Sequence, residues 1–131
     1  MANYPARNSG DQTINYLRAP INVTNLGTVS IVQVGTLPAG AVVLRAYVVI
    51  NQVFNWGTNN LLKVGIVGSD ASIISSASLL ALGIISATAV LTAAATVTPT
   101  ADTQIIATSL ATGTQATTGS GFIIIEYCPM A

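Results

Sequence analysis

The chain has 131 residues, the size of one ordinary domain, and it can bury a core without disulfide bonds. Only 6% of its residues are charged and its net charge is zero, whereas soluble domains usually carry about 25% charged residues. This balance argues against a nucleic-acid partner, because binding to nucleic acid needs a basic patch. Three explanations of the low charge remain: the chain lies in a membrane, protein partners cover much of its surface, or uncharged polar side chains provide the solvation.

Residues 1–19 predict an extended N-terminal arm, because polar and turn-forming residues interrupt every apolar pattern there. The rest of the chain, 20–131, reads as one domain with about eight short strands separated by turn residues. Its Val, Ile and Thr content favours an all-β fold, a two-sheet β-sandwich of jelly-roll type. The clearest predicted strands are Ile21–Thr24, Thr28–Thr36, Ala41–Phe54, Leu61–Val67, Ala89–Thr98, Thr103–Ala111 and Gly121–Cys128.

The segment Ala41–Phe54 predicts the central strand, preceded by the turn Leu37–Gly40. Strict alternation would place Val42, Leu44, Ala46, Val48 and Ile50 together in the core. A strand of this length would span roughly 45 Å, so we expect a bend or bulge partway along it. The hydrophobic phase of Thr28–Thr36 also shifts in the middle, which indicates a bulge or burial on both faces.

The charge-free run Ile73–Ala95 is about as long as a membrane-spanning helix. Its many Ser and Thr residues, and the absence of closely flanking Lys or Arg, disfavour insertion. Two strands, or a short helix and a strand, fit this run better. We therefore predict no membrane partner.

The chain lacks the residues that most enzymes use. It has no histidine, one cysteine and four carboxylates, which removes His-based nucleophilic sites, His-ligated zinc and cysteine clusters. Asp70 and Asp102 lie in predicted turns, where aspartate usually bonds to the local backbone. We predict neither enzymatic activity nor a metal ion or other cofactor.

Several sequence motifs resemble those of small jelly-roll capsid decoration, or cement, proteins of tailed bacteriophages. They are the Leu-Pro-Ala-Gly turn at 37–40, Val-Phe-Asn at 53–55, Val-Gly at 64–65, Thr-Ala-Asp-Thr at 100–103 and the final strand Gly121–Tyr127, which ends in Ile-Glu-Tyr. The resemblance covers about residues 28–128 and is weakest at 71–98. These motifs are turns and core strands, so they specify a fold better than a function.

The resemblance implies a structural protein on the outer capsid surface of a virion that assembles in the host cytoplasm. Its partners would be the major capsid protein, whose subunits it would bridge, and further copies of itself in a homodimer or homotrimer. The alternative is a β-sandwich adhesion module, part of a head fibre or tail, that binds host-surface glycan.

Candidate interface residues lie in the arm and at a loop tip. Trp56 can either anchor an interface or pack back onto the sandwich, and the loop Thr112–Ser120 is a further candidate surface. Arg45 and Glu126 interrupt apolar strands, as an intrachain pair, exposed edge residues or contacts to a neighbouring subunit would. The predicted partner-interface residues are Tyr4, Arg7, Tyr16, Arg18, Trp56 and Asn59.

Overall fold

The computed structural model describes residues 14–27, 31–86 and 99–129, and all regular structure in these residues is β. The strands are β1 (Asn15–Asn22), β2 (Ile31–Leu37), β3 (Val42–Gln52), β4 (Leu61–Ile66), β5 (Ser69–Ser78), β6 (Gly83–Ser86), β7 (Thr103–Ser109) and β8 (Ser120–Cys128).

The eight strands form two antiparallel sheets with the orders β1-β8-β3-β6 and β2-β7-β4-β5. The pairing is nested: β1 pairs with β8, β2 with β7, β3 with β6 and β4 with β5. A long hairpin rolled up on itself produces this order, and the added pairs β3–β8 and β4–β7 complete the sheets. The predicted all-β jelly-roll sandwich is confirmed.

The first strand begins earlier than the sequence indicates. β1 starts at Asn15, so the last residues of the predicted 1–19 arm belong to the first sheet, and the predicted strand Ile21–Thr24 is misplaced. Leu17, Ala19 and Ile21 point toward the core, but the polar residues between them conceal the alternation. Pro20 is tolerated because β1 is an edge strand, where one side of the ladder needs no N–H donor.

The predicted irregularities are present, and one of them corrects the predicted core. β3 shifts register against β8 between Val43 and Arg45, and β2 shifts against β7 between Gln33 and Gly35. The shift in β3 reverses the alternation, so Val43 is 4% exposed and Leu44 is 41% exposed. Leu44 was therefore wrongly placed in the core.

The core lies between the two sheets and is closed at one end by aromatic side chains. Its members from β3, including Val48 and Ile50, alternate correctly after the shift. The largest fully buried side chains are Phe54, Ile21, Leu26, Leu37, Ile50, Leu62, Ile73, Leu79, Ile105, Ile123, Ile125 and Val48.

The ambiguous segment after β4 forms strands where the structure describes it. β5 and β6 occupy part of Ile73–Ala95, and the predicted strand Ala89–Thr98 lies outside the described residues. None of the described residues belongs to a helix long and apolar enough to cross a membrane.

The turn before β3 is bonded to the turn before β7. The Ala41 N–H donates to the Pro38 carbonyl across a turn in which Gly40 has φ 79°, a value that favours glycine. The Ala39 N–H donates to Asp102 Oδ1 at 3.0 Å. The sequence predicted that Asp102 would bond to the backbone of its own turn, but it accepts instead from the distant turn before β3.

Candidate protein interface

The outward side chains of the first sheet form the most unusual surface in the described residues. The antiparallel registers align them in three rows across β1, β8, β3 and, for two rows, β6. We call this surface the first-sheet face. Its rows are Tyr16–Glu126–Arg45, Arg18–Ile124–Tyr47–Ser86 and Pro20–Phe122–Val49–Ile84.

Most side chains of the first-sheet face are apolar or aromatic, although an antiparallel sheet usually presents polar residues to water. Tyr16 is 60% exposed and Ile84 is 68% exposed, while Phe122, Ile124 and Val49 are half-buried. Contiguous apolar surface is typical of sites that contact another macromolecule, so the first-sheet face is the candidate interface.

The second sheet presents a more mixed outer surface. Its rows include Ile31–Thr108–Lys63 and Gln33–Ile106–Gly65, in which polar side chains alternate with aliphatic ones. No aromatic side chain lies in these two rows. None of β2, β4, β5 and β7 contains an aromatic residue, so the exposed aromatic side chains of the two sheets are concentrated on the first-sheet face, which makes it the better candidate interface.

An ion pair occupies the first row of the face. Arg45 Nε donates to Glu126 Oε2 at 2.8 Å, and these residues lie opposite each other on β3 and β8. The sequence left three explanations for a charged residue in each of these apolar strands, and the structure shows the first of them, an intrachain pair. The Arg45 side chain remains 65% exposed while that of Glu126 is 11% exposed, so the carboxylate is largely shielded and the guanidinium faces water.

Tyr47 lies beside this pair in the next row. Partial burial is the main cause that raises the pKa of Tyr47 above its ordinary value of 10.0; the Glu126 charge and a side-chain hydrogen bond to Glu126 act in the same direction. Arg45 opposes them. The phenol therefore stays neutral throughout the physiological range and supplies an amphipathic contact surface.

Arg18 contacts an aromatic ring of its own sheet. Its Cζ atom lies 4.1 Å from the centroid of the Phe122 ring, a cation–π contact with a diagonal neighbour on β8. In the part of the chain that the structure describes, Arg18 forms no ion pair. The guanidinium is thus positioned by the aromatic ring and has no anionic partner within the described domain.

The six predicted interface residues fall into three groups. Tyr16 and Arg18 lie on the first-sheet face, two positions apart on β1. Tyr4 and Arg7 lie outside the described residues. Trp56 and Asn59 lie together in the loop between β3 and β4, away from the rows of the face.

Trp56 packs into its own domain, the second of its two predicted alternatives. It is 3% exposed and stacks on Phe54 with the ring centroids 5.1 Å apart. Asn60 fixes its backbone, because Oδ1 accepts from the Trp56 N–H and Nδ2 donates to the Trp56 carbonyl. The indole is therefore a core residue, while Asn59 remains exposed.

The two candidate loops at this end bind each other. Asn55 Oδ1 accepts from the N–H groups of Thr117 and Thr118, and the Gly57 N–H donates to the Thr114 carbonyl. Asn59 forms an isolated bridge with Thr112. These contacts make the loop end a bonded cap on the sandwich.

The described carboxylates have structural partners. Asp70 lies 3.6 Å from Lys63 Nζ, Glu126 pairs with Arg45, and Asp102 accepts from Ala39. Residues 14–27, 31–86 and 99–129 contain no group of three His, Cys, Asp or Glu residues that could hold a metal ion. The geometry thus assigns these acids to turns and ion pairs.

Sequence reasoning did not select Tyr47, Val49, Phe122 or Ile124 as interface candidates. Their signal was present, because β3 and β8 are apolar on both faces, a pattern that usually indicates a strand covered on both sides. In the described structure only one side of these strands faces the core.

Comparison with solved structures supports the jelly-roll fold. The chain is similar to a chain in the capsid of Ralstonia phage GP4, with 18% identity and a TM-score of 0.66, over 99% of this chain and 92% of that one. It is likewise similar to a chain in the capsid asymmetric unit of cyanophage Pam1, with 23% identity and a TM-score of 0.66, over 98% of this chain and 94% of that one. No known family and no curated protein matches the sequence.

Proposed function

We propose that this chain is a structural virion protein that binds the outer surface of an icosahedral phage capsid and bridges major capsid protein subunits. The first-sheet face carries the proposal, since it is a largely apolar and aromatic surface that faces away from the core. The fold similarity to chains of two phage capsids agrees with it.

The proposed mechanism is mass action. A protein that binds only the assembled shell stabilises that shell by the free energy of binding. Contacts that span two neighbouring subunits, repeated over many copies, add modest interfaces into a large resistance to internal pressure. A dimer or trimer of this chain would increase that effect by linking its contacts. Neither nucleic acid nor a membrane has a part in this mechanism, and none of the steps is enzymatic.

Shells assembled from the major capsid protein of the same phage, without this chain, provide the test. Purified protein should co-sediment with the shells, raise their dissociation temperature, and appear on their outer surface in cryo-electron microscopy. Ile124→Lys places a charge in the middle of the first-sheet face and should abolish binding. Gln33→Lys places the same charge on the exposed part of the second sheet and serves as the matched control.

Two results would contradict the proposal. Folded wild-type protein that fails to bind shells removes its basis, and binding to host-surface glycan on an array, without affinity for shells, would support the adhesion module instead. Tyr4 and Arg7 stay predicted contacts, and removal of residues 2–13 tests them while leaving β1 intact. A deletion that extended to the predicted arm boundary at residue 19 would also remove part of β1. A loss of binding could then result from a damaged fold rather than from the loss of contacts with the shell.

A further inference from the structure

The charges of the first-sheet face are unequal. Arg18 and Arg45 both lie on it with a single carboxylate, Glu126, and that carboxylate is already bonded to Arg45 Nε. The other described ionisable pair, Lys63 with Asp70, belongs to the second sheet. The face therefore has a formal excess of one positive charge, located at Arg18.

The stacking of Arg18 determines what this charge can bind. The Phe122 ring holds the Arg18 guanidinium, whose Cζ atom lies 4.1 Å from the ring centroid, and the polar atoms of a guanidinium are all N–H donors. Those donors form a fork whose geometry matches the two oxygens of a carboxylate. The surrounding Tyr16, Pro20 and Ile124 provide an apolar rim.

Docking of a partner on this face would remove water from Arg18. A buried cation without a counter-charge is strongly unfavourable, so the partner must supply acceptors at this point. A phosphate backbone is a poor candidate, because one excess charge cannot replace the counterions that several phosphate contacts release. An Asp or Glu side chain within an apolar protein surface satisfies both the charge and the rim.

We propose that Arg18 is the specificity-determining residue of the first-sheet face and forms a bidentate ion pair with an Asp or Glu side chain of the capsid subunit on which the chain docks. This inference rests on the proposed function. Arg18 selects the position on the shell, because the apolar rows alone can slide along any apolar surface, whereas the ion pair exists at one register only.

Binding to shells of the same phage's major capsid protein tests the inference with three variants. Arg18→Gln should weaken binding roughly 30-fold or more, because it leaves the partner carboxylate buried without its counter-charge. Arg18→Lys keeps the charge but not the fork and should fall between this variant and wild type. Lys63→Gln, which removes a cation from the second sheet, should bind as wild type does.

Salt dependence provides a second readout that a merely structural role would not change. The affinity of wild-type protein should fall more steeply with salt concentration than that of Arg18→Gln, because only wild type forms the ion pair. Cryo-electron microscopy of decorated shells should place an Asp or Glu beside Arg18. Exchange of the charges, with Arg18→Glu and Arg in place of that acid, should recover affinity.

The outcomes separate the two proposals. If wild-type protein does not bind the shells, the proposed function is overturned together with this inference. If wild type binds and Arg18→Gln binds equally well, or if Arg18→Gln and Lys63→Gln weaken binding equally, only the role of Arg18 is overturned. If duplex DNA retains wild-type protein but not Arg18→Gln, the partner of Arg18 is a phosphate rather than a carboxylate, and the inference is overturned.

Discussion

A pair of alanine substitutions in β3 tests the register shift that places Val43 in the core and Leu44 at the surface. Val43→Ala removes two methyl groups from a side chain that is 4% exposed. At about 0.8 kcal/mol for each buried carbon the transfer loss is about 1.6 kcal/mol, and the remaining cavity raises it to about 2–3 kcal/mol. Leu44→Ala removes three carbons from a residue that is 41% exposed, so the same coefficient, scaled by the buried fraction, gives about 1.4 kcal/mol, and no enclosed cavity adds to it at the surface.

Strict alternation along β3 would give the opposite ranking. Leu44 would then be a core residue, and its replacement by alanine would cost about 2–5 kcal/mol while Val43→Ala would be nearly neutral. The two substitutions therefore distinguish a shifted strand from a regular one by the order of their effects, which does not depend on the absolute scale.

Guanidinium chloride unfolding, followed by far-UV circular dichroism and by the fluorescence of the single tryptophan, measures both effects. In a thermal melt followed by the same two signals, Val43→Ala should lower the melting temperature by roughly 8 °C, and Leu44→Ala by roughly 5 °C or less. Two protein concentrations control for self-association, which would make the midpoint depend on concentration. A greater loss in Leu44→Ala than in Val43→Ala would refute the placement of both residues.

Three further predictions concern other parts of the fold. Gly119→Ala should destabilise the protein by about 1–3 kcal/mol more than Gly68→Ala in the same denaturation assay, because both glycines have positive φ but a Cβ on Gly119 would lie 2.3 Å from a phenylalanine ring atom, whereas a Cβ on Gly68 meets nothing; equal losses would contradict this packing. Asn60→Ala should cost about 2–4 kcal/mol, because it leaves two buried backbone groups of the tryptophan unpaired, and a native-state fluorescence spectrum shifted to longer wavelength would report it. In a spectrophotometric pH titration, the difference between wild type and Tyr47→Phe should report a phenol that ionises above pH 10.0. Because the folded-state pKa of Tyr47 is raised, its contribution to stability is complete below pH 10.0 and is lost as the pH rises through the folded-state pKa.

The sequence specified the fold class because its signals are local and repeated. The Leu-Pro-Ala-Gly turn, the valine- and isoleucine-rich β3 and the final strand β8 each identify themselves within about ten residues. The number of strands and their antiparallel pairing follow from short spacing between turns. The resemblance to decoration proteins was carried by these same turns and strands, which explains why it predicted the jelly roll well.

Two features depended on information that a sequence does not hold locally. β1 was hidden because its outward positions carry Tyr16, Arg18 and Pro20, and only pairing with β8 makes Leu17 and Ala19 core residues. The register shift in β3 was expected somewhere along the strand, but its position depends on the partner strand. An error of one residue there transfers Leu44 from the core to the surface.

The candidate interface shows the same limit. Tyr16 and Arg18 were selected as members of a polar arm, and they lie on the first-sheet face for a different reason, since β1 is an edge strand of that sheet. Trp56 was selected because a tryptophan beside asparagines suggests a loop tip. Trp56 lies inside the domain instead, because its ring stacks on Phe54 and its backbone is held by two hydrogen bonds with Asn60.

The nested pairing of the strands also determines when the protein can fold during synthesis. The first sheet needs β8 in its centre, and the register joins Asn15 to Tyr127, so among the described strands β1 has no sheet neighbour until residue 127 has left the ribosome. Such non-local pairing is slow, on the order of milliseconds to seconds, and exposes apolar strands while it proceeds. Removal of Ser120–Cys128 would leave β1 and β3 without the strand that joins them.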